Sequence, residues 1–189
     1  NRMKIALDVM GGDKAPLVNI LGAREALALY PSIEIIYLVG DKDIIAKECA
    51  QNKLTDKRIE IVHASQVVEM HESGAKTLRS KRDSSISVAT GLVKSGDADA
   101  VVSAGNTGAA VANATLKLRT LTGIERAGIA SPLPNEHGVC NLLDAGANPE
   151  AKPEHLLGYA VMGAMYAKHV LGVAHPIVGL MSNGEEEEK

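Results

Sequence analysis

The apolar residues of this chain come in short runs, most of which end in a glycine-bearing polar turn just before a helical stretch begins. The clearest case is the run 98–102. It leads through Ser103-Ala104-Gly105-Asn106-Thr107-Gly108-Ala109 into Ala110-Val111-Ala112-Asn113-Ala114-Thr115-Leu116. A strand, a tight turn and a helix are expected in that order. Repeated along a chain, this order calls for a doubly wound α/β fold, a mostly parallel sheet with helices on both faces, because successive parallel strands need a crossover between them. The absence of Phe and Trp agrees. The core has to be built from Ile, Leu, Val, Ala and Met, as in buried parallel strands. With 189 residues, 46% of them hydrophobic, a single α/β domain over 1–189 is expected.

Taken in order, the strand 4–9 is broken by Met10-Gly11-Gly12-Asp13, and Pro16 suits the first turn of the helix that follows. Val18, Leu21, Ala26 and Leu29 are its expected apolar face, and Pro31 ends it. A strand over 34–39, a helix over 42–51 and a strand over 58–63 follow. From 67 to 85 no period is visible and a long loop is expected. A helix capped by Ser84 or Ser85 then runs to Lys94, with Ile86, Ala89, Leu92 and Val93 on one face and Gly96 stopping it. The runs 128–132 and 139–143 flank Pro134-Asn135-Glu136-His137-Gly138, which reads as a hairpin. A long helix over 150–171 and a last strand over 177–181 complete the chain.

Charge and cysteine usage exclude several classes. A formal net charge of −3 gives no general attraction for nucleic acid, although Lys76, Arg79, Lys81 and Arg82 cluster and Glu185 to Glu188 form an acidic run. Cys49 and Cys140 lie too far apart in sequence to suggest a disulfide framework, so a reduced, cytoplasmic compartment is expected. No apolar stretch approaches the ~20 residues that span a bilayer, and a signal peptide before Met3 is not expected.

In doubly wound sheets, ligands bind beyond the carboxyl ends of the strands. The turns there share one chemistry: Asp8, Gly11, Gly12 and Asp13; Ser103, Gly105, Asn106, Thr107 and Gly108; Asp144, Gly146 and Asn148; and Gly184. Glycines let backbone approach closely, and a helix N-terminus offers unpaired N–H groups and partial positive charge, so an anion is the expected ligand. A ligand-free turn capped by Asn106 or Thr107 would have the same local sequence; the recurrence of Gly-plus-Asx turns favours a site. No G-x-G-x-x-G follows any strand, and no G-x-S-x-G elbow is present. Gly74-Ala75-Lys76-Thr77 lacks the adjacent Gly-Lys pair and the leading strand of a phosphate loop. His137, Cys140 and Asp144 lack zinc-type spacing. His155 and His169 fit surface or capping roles. No metal or cofactor is expected.

With these turns laid out, the sequence closely resembles the PlsX family, the bacterial phosphate acyltransferases of phospholipid synthesis. The resemblance covers essentially everything after Met3. It rests on Asp8-Val9-Met10-Gly11-Gly12-Asp13, Lys81-Arg82-Asp83-Ser84-Ser85, Ser103-Ala104-Gly105-Asn106-Thr107-Gly108-Ala109 and Asp144-Ala145-Gly146-Ala147-Asn148. Ala151-Lys152-Pro153-Glu154-His155-Leu156 follows the last of these. It implies an isopropylmalate-dehydrogenase-like fold and a homodimer. It also implies transfer of a long-chain acyl group from acyl carrier protein to inorganic phosphate. The acyl phosphate would feed a membrane glycerol-3-phosphate acyltransferase, and the enzyme would associate peripherally with the membrane. Family chains run considerably further than this one.

Phosphate can attack a thioester carbon directly, so the protein has to hold an anion beside an acyl carbonyl and stabilise the oxyanion. The N–H groups of 105–108, with the Asn106 and Thr107 side chains, are the expected phosphate cradle. The resemblance implies Lys189, matching the Lys of a family Lys-Gly pair, as the neutralising charge. Asp8, Asp13 and Asp144 are expected to orient turns, since a carboxylate beside phosphate would repel it. The cluster Lys76, Arg79, Lys81 and Arg82 reads as a solvated loop or as a dock for the acidic carrier. A phosphotransacetylase-like enzyme using acyl coenzyme A, and a non-catalytic anion- or nucleotide-binding regulatory domain, fit the same turns.

Overall fold

The computed structural model describes residues 2–148 and 150–181. The chain divides into two compact units, Asn1–Arg119 and Thr120–Lys189.

In the first unit four strands pair in parallel: β1 (Met3–Asp8), β2 (Ile33–Gly40), β3 (Ile59–His63) and β4 (Ala100–Ser103). Their order is β3-β2-β1-β4. The chain winds outward from β1 to β3 and then returns to lay β4 on the other side of β1. The winding direction therefore reverses between β1 and β4, where doubly wound sheets open a crevice at their carboxyl edge.

Helices α1 (Leu17–Leu29), α2 (Lys42–Gln51), α3 (Gly74–Ser80), α4 (Ser85–Ser95) and α5 (Thr107–Lys117) complete this unit. The period of two along each strand divides the core into layers. Ile5, Leu7 and Val9 of the β1 segment and Ile36 and Leu38 of β2 pack with Ile20, Ala23 and Leu27 of α1 and Ile45 and Cys49 of α2. On the other face, Ala6 and Val39 pack with Ala89, Leu92 and Val93 of α4. Burial of a side chain such as Ile20, Leu38 or Ile45, each fully enclosed, contributes about 1.5–3 kcal/mol.

Two local expectations are corrected here. The buried face of α1 is Ile20, Ala23 and Leu27, whereas Val18 and Leu29 are exposed. This helix carries apolar residues on every side, so periodicity could not choose the face that meets the sheet. The 67–85 stretch, expected as a loop, contains the seven-residue α3. So short a helix shows no amphipathic period and is stabilised by tertiary contact.

In the second unit, β5 (Ser131–Asn135) and β6 (Gly138–Leu142) form an antiparallel hairpin, and α6 (Pro153–His169) packs against it. Pro132 and Pro134 are two residues apart, so their missing N–H groups fall on the same side of the ribbon. The expected strand over 177–181 is not one: these residues have no regular structure. A strand needs a ladder partner for its N–H and C=O groups, and this run has none among the described residues; Ile177 is 98% exposed. No helix among the described residues is long and apolar enough to cross a membrane.

Candidate functional site

The β1–β4 register sets Asp8 beside Ser103, with both side chains on the same face. Ser103 Oγ donates to Asp8 Oδ2 at 2.7 Å and accepts the Gly105 N–H at 3.1 Å. Asp8 is 3% exposed, and its Oδ1 has no hydrogen-bond partner among the described residues. A Cβ on Gly11 would stand 2.6 Å from Asp8 Oδ2 and 2.9 Å from Gly105 Cα, and one on Gly105 would stand 2.9 Å from Gly11 Cα. The turns after β1 and β4 thus meet backbone to backbone, which only glycine permits. Gly12 faces the Ala104 carbonyl, and Asp13 is exposed.

Sequence reasoning missed Asn19. Its Nδ2 donates to the carbonyl oxygens of Val9 and Gly11, both at 2.8 Å, and so pins the first turn from α1. The available signal was an amide among the apolar residues of the first turn of α1.

At the start of α5, Asn106 is the N-cap: its Oδ1 accepts the Ala109 N–H at 2.9 Å. The Ala110 N–H bonds to the Asn106 carbonyl at 3.0 Å. The N–H groups of Thr107 and Gly108, both exposed residues, have no acceptor among the described residues. Two open N–H groups at the positive end of a helix, in the crevice of a doubly wound sheet, can hold an anion. The Asn106 amide nitrogen is itself engaged. It lies 3.0, 3.2 and 2.8 Å from the carbonyl oxygens of Glu69, Met70 and Glu72, to which it donates.

The segment carrying those carbonyls lies against α5. Gly74, buried at the start of α3, is so near that a Cβ there would collide with the Gly108 carbonyl carbon and the Ala109 nitrogen. Lys81 Nζ donates to the Val67 carbonyl and to Glu72 Oε2, both at 2.6 Å. Glu72 Oε2 also accepts the Glu69 N–H at 2.7 Å. The Lys81 hydrogen bond, followed by that N–H, holds the Glu72 carboxyl below its ordinary value. Of the four clustered cations, then, Lys81 is an internal clamp, whereas Lys76, Arg79 and Arg82 are exposed.

In the second unit, Asp144 Oδ1 accepts the N–H groups of Ile129 (2.7 Å) and Ala147 (3.1 Å), and its Oδ2 accepts that of Asn148 (2.8 Å). Burial raises the Asp144 carboxyl, but the backbone N–H groups of Ile129, Asn148 and Ala147 and the Asn148 side chain outweigh it and leave it below its ordinary value. Asn148 Nδ2 donates to the Ala127 carbonyl at 2.8 Å, and Arg126 donates to Asn148 Oδ1 at 3.3 Å. His155 is a capping group whose Nδ1 accepts the Lys152 N–H at 3.1 Å. Gly184 and Lys189 lie outside the described residues. Among the described residues, no three His, Cys, Asp or Glu side chains gather into a metal site.

A phosphate acyltransferase from Akkermansia muciniphila is 61% identical over 187 residues, covering 99% of this chain and 54% of its own length. One from Geobacter sulfurreducens is 48% identical with the same coverage. The chain spans about half the length of the curated relatives it matches. Among solved structures, the EutD phosphotransacetylase from Staphylococcus aureus is similar in fold, with a TM-score of 0.60 and 22% identity, over 88% of this chain and 53% of that one. Residues 3–189 match the family described as fatty acid synthesis protein. The resemblance carried by the four motifs is thereby borne out, and the chain belongs to that family.

Proposed function

We propose that this chain takes part in acyl transfer from acyl carrier protein to inorganic phosphate, giving an acyl phosphate and the free carrier thiol. The observation that carries this reading is the open Thr107 and Gly108 N–H pair in the β1–β4 crevice; relatives named phosphate acyltransferases support it. A phosphate oxygen bonds to the thioester carbon, the C–S bond breaks, and the departing thiolate takes up the proton that phosphate gives up. The thioester is already activated, so the protein's work is to hold both reactants in line and stabilise the oxyanion. Asp8, Gly11, Gly12, Ser103 and Gly105 shape the floor of the phosphate site. Asp13, Asp144, Asn148 and Gly184 are further candidate substrate-binding residues, and Lys189 is the candidate neutralising charge. The acidic carrier docks on Lys76, Arg79 and Arg82. The acyl phosphate goes on to a membrane glycerol-3-phosphate acyltransferase, and the whole protein is a cytoplasmic, peripherally membrane-associated homodimer.

The test is thiol release from palmitoyl-acyl carrier protein, with and without inorganic phosphate, using the full-length protein. Phosphate-dependent release with acyl phosphate as product is expected. Release from palmitoyl coenzyme A but not from the carrier would favour a phosphotransacetylase-like enzyme. Phosphate binding without thiol release would leave an anion-binding module.

A further inference from the structure

Residues 67–81 form a strap whose fastenings converge on the first turn of α5. One side chain makes the central fastening: Asn106 spends its Oδ1 on the Ala109 N–H and its two amide hydrogens on the Glu69, Met70 and Glu72 carbonyls. Two residues beyond Glu72, Gly74 brings the start of α3 against Gly108 and Ala109, with no room for a side chain between them. Lys81 then ties the far end of the strap back to Glu72 and Val67. An amide so committed has no hydrogen left for a phosphate oxygen, and to offer one it would have to leave a carbonyl unpaired.

We propose that Asn106 is a positioning residue. It fastens the strap to α5 and so sets how the Thr107 and Gly108 N–H groups are presented to an anion, on the premise of the phosphate site proposed above.

Two variants of the full-length protein test this. Asn106→Asp keeps an oxygen for the Ala109 N–H but turns a carboxylate toward three carbonyls. Gly74→Ala wedges α3 away from α5 without adding charge, so a defect shared by both cannot come from repulsion of phosphate. In both, hydrogen exchange of the 67–81 amides is expected to speed up at least about ten-fold while β1 and β2 stay protected. The KM for phosphate should rise roughly ten-fold with kcat within about three-fold of wild type. A hundred-fold fall in kcat for Asn106→Asp with unchanged exchange in the strap would make Asn106 a substrate contact and overturn the proposal. A loosened strap in Gly74→Ala with an unchanged KM for phosphate would also overturn it. If wild-type thiol release proves independent of phosphate, the acyl-transfer reading fails. Strap exchange, with calorimetric phosphate affinity in place of KM, still decides the role of Asn106.

Discussion

Ser103 Oγ bridges two parts of the crevice, donating to the buried Asp8 carboxylate at 2.7 Å and accepting the Gly105 N–H at 3.1 Å. Ser103→Ala leaves Asp8 buried with a donor at neither oxygen. Such a loss costs about 1–3 kcal/mol, and more when the orphaned group is charged. Asp8→Asn should cost less, because an amide is cheaper to bury than a carboxylate. The double variant should be more stable than the sum of the two losses requires, by about 1 kcal/mol or more. Urea titration followed by circular dichroism measures this cycle. Simple additivity would mean that the two side chains do not depend on each other.

The contact between Gly11 and Gly105 makes a different kind of prediction. Each Cβ would intrude to 2.9 Å of the other residue's Cα, so Gly11→Ala and Gly105→Ala both have to separate the turns. Overpacking of this kind costs about 1–3 kcal/mol. Once one Ala has opened the gap, the second should cost little more. Both single variants should also bind phosphate at least about ten-fold more weakly by calorimetry. Wild-type phosphate affinity in either would show that the anion does not depend on the closed crevice.

The alternation of strands and helices was legible because apolar runs and Gly-plus-Asx turns follow directly from the local needs of a parallel sheet. So was the α5 turn, where Asn106 caps Ala109 as its residue type suggests. The three carbonyls that share the Asn106 amide were not legible, because Glu69, Met70 and Glu72 lie more than thirty residues away and offer only backbone atoms. Lys81 looked the same as Lys76 in sequence. Only tertiary folding brings Glu72 and Val67 onto its amine. The run 177–181 has the composition of a strand, but whether a ladder forms depends on a neighbour that composition does not supply.

Asp144 predicts a pH dependence. Its folded-state value lies below the unfolded one, the backbone N–H groups of Ile129, Asn148 and Ala147 outweighing burial. The stability it contributes is therefore fully present above the unfolded value of about 3.9 and is lost as pH falls through the lower folded value. Asp144→Asn should melt below wild type at pH 7, and the gap should close as pH is lowered below about 4. A gap that stays constant from pH 7 to pH 3 would mean that the charge on Asp144 is not what its three N–H donors hold.

The basic edge offers the sharpest contrast, because its exposed cations and its clamped one should fail in different ways. Arg79 and Arg82 are exposed, whereas Lys81 is spent on Glu72 and the Val67 carbonyl. If an acidic carrier docks here, attraction acts across solvent and is screened over about 8 Å at physiological ionic strength, so apparent KM should rise steeply with salt. Arg79→Glu with Arg82→Glu should raise KM for the carrier roughly ten-fold at low salt and flatten the salt response, leaving KM for phosphate unchanged. Lys81→Met should instead loosen the 67–81 amides in hydrogen exchange and raise KM for phosphate, with the salt response to the carrier retained. An unchanged carrier KM and salt slope in the charge-reversal variant would remove this edge as the docking face, because reversing two exposed charges cannot leave an electrostatic encounter untouched.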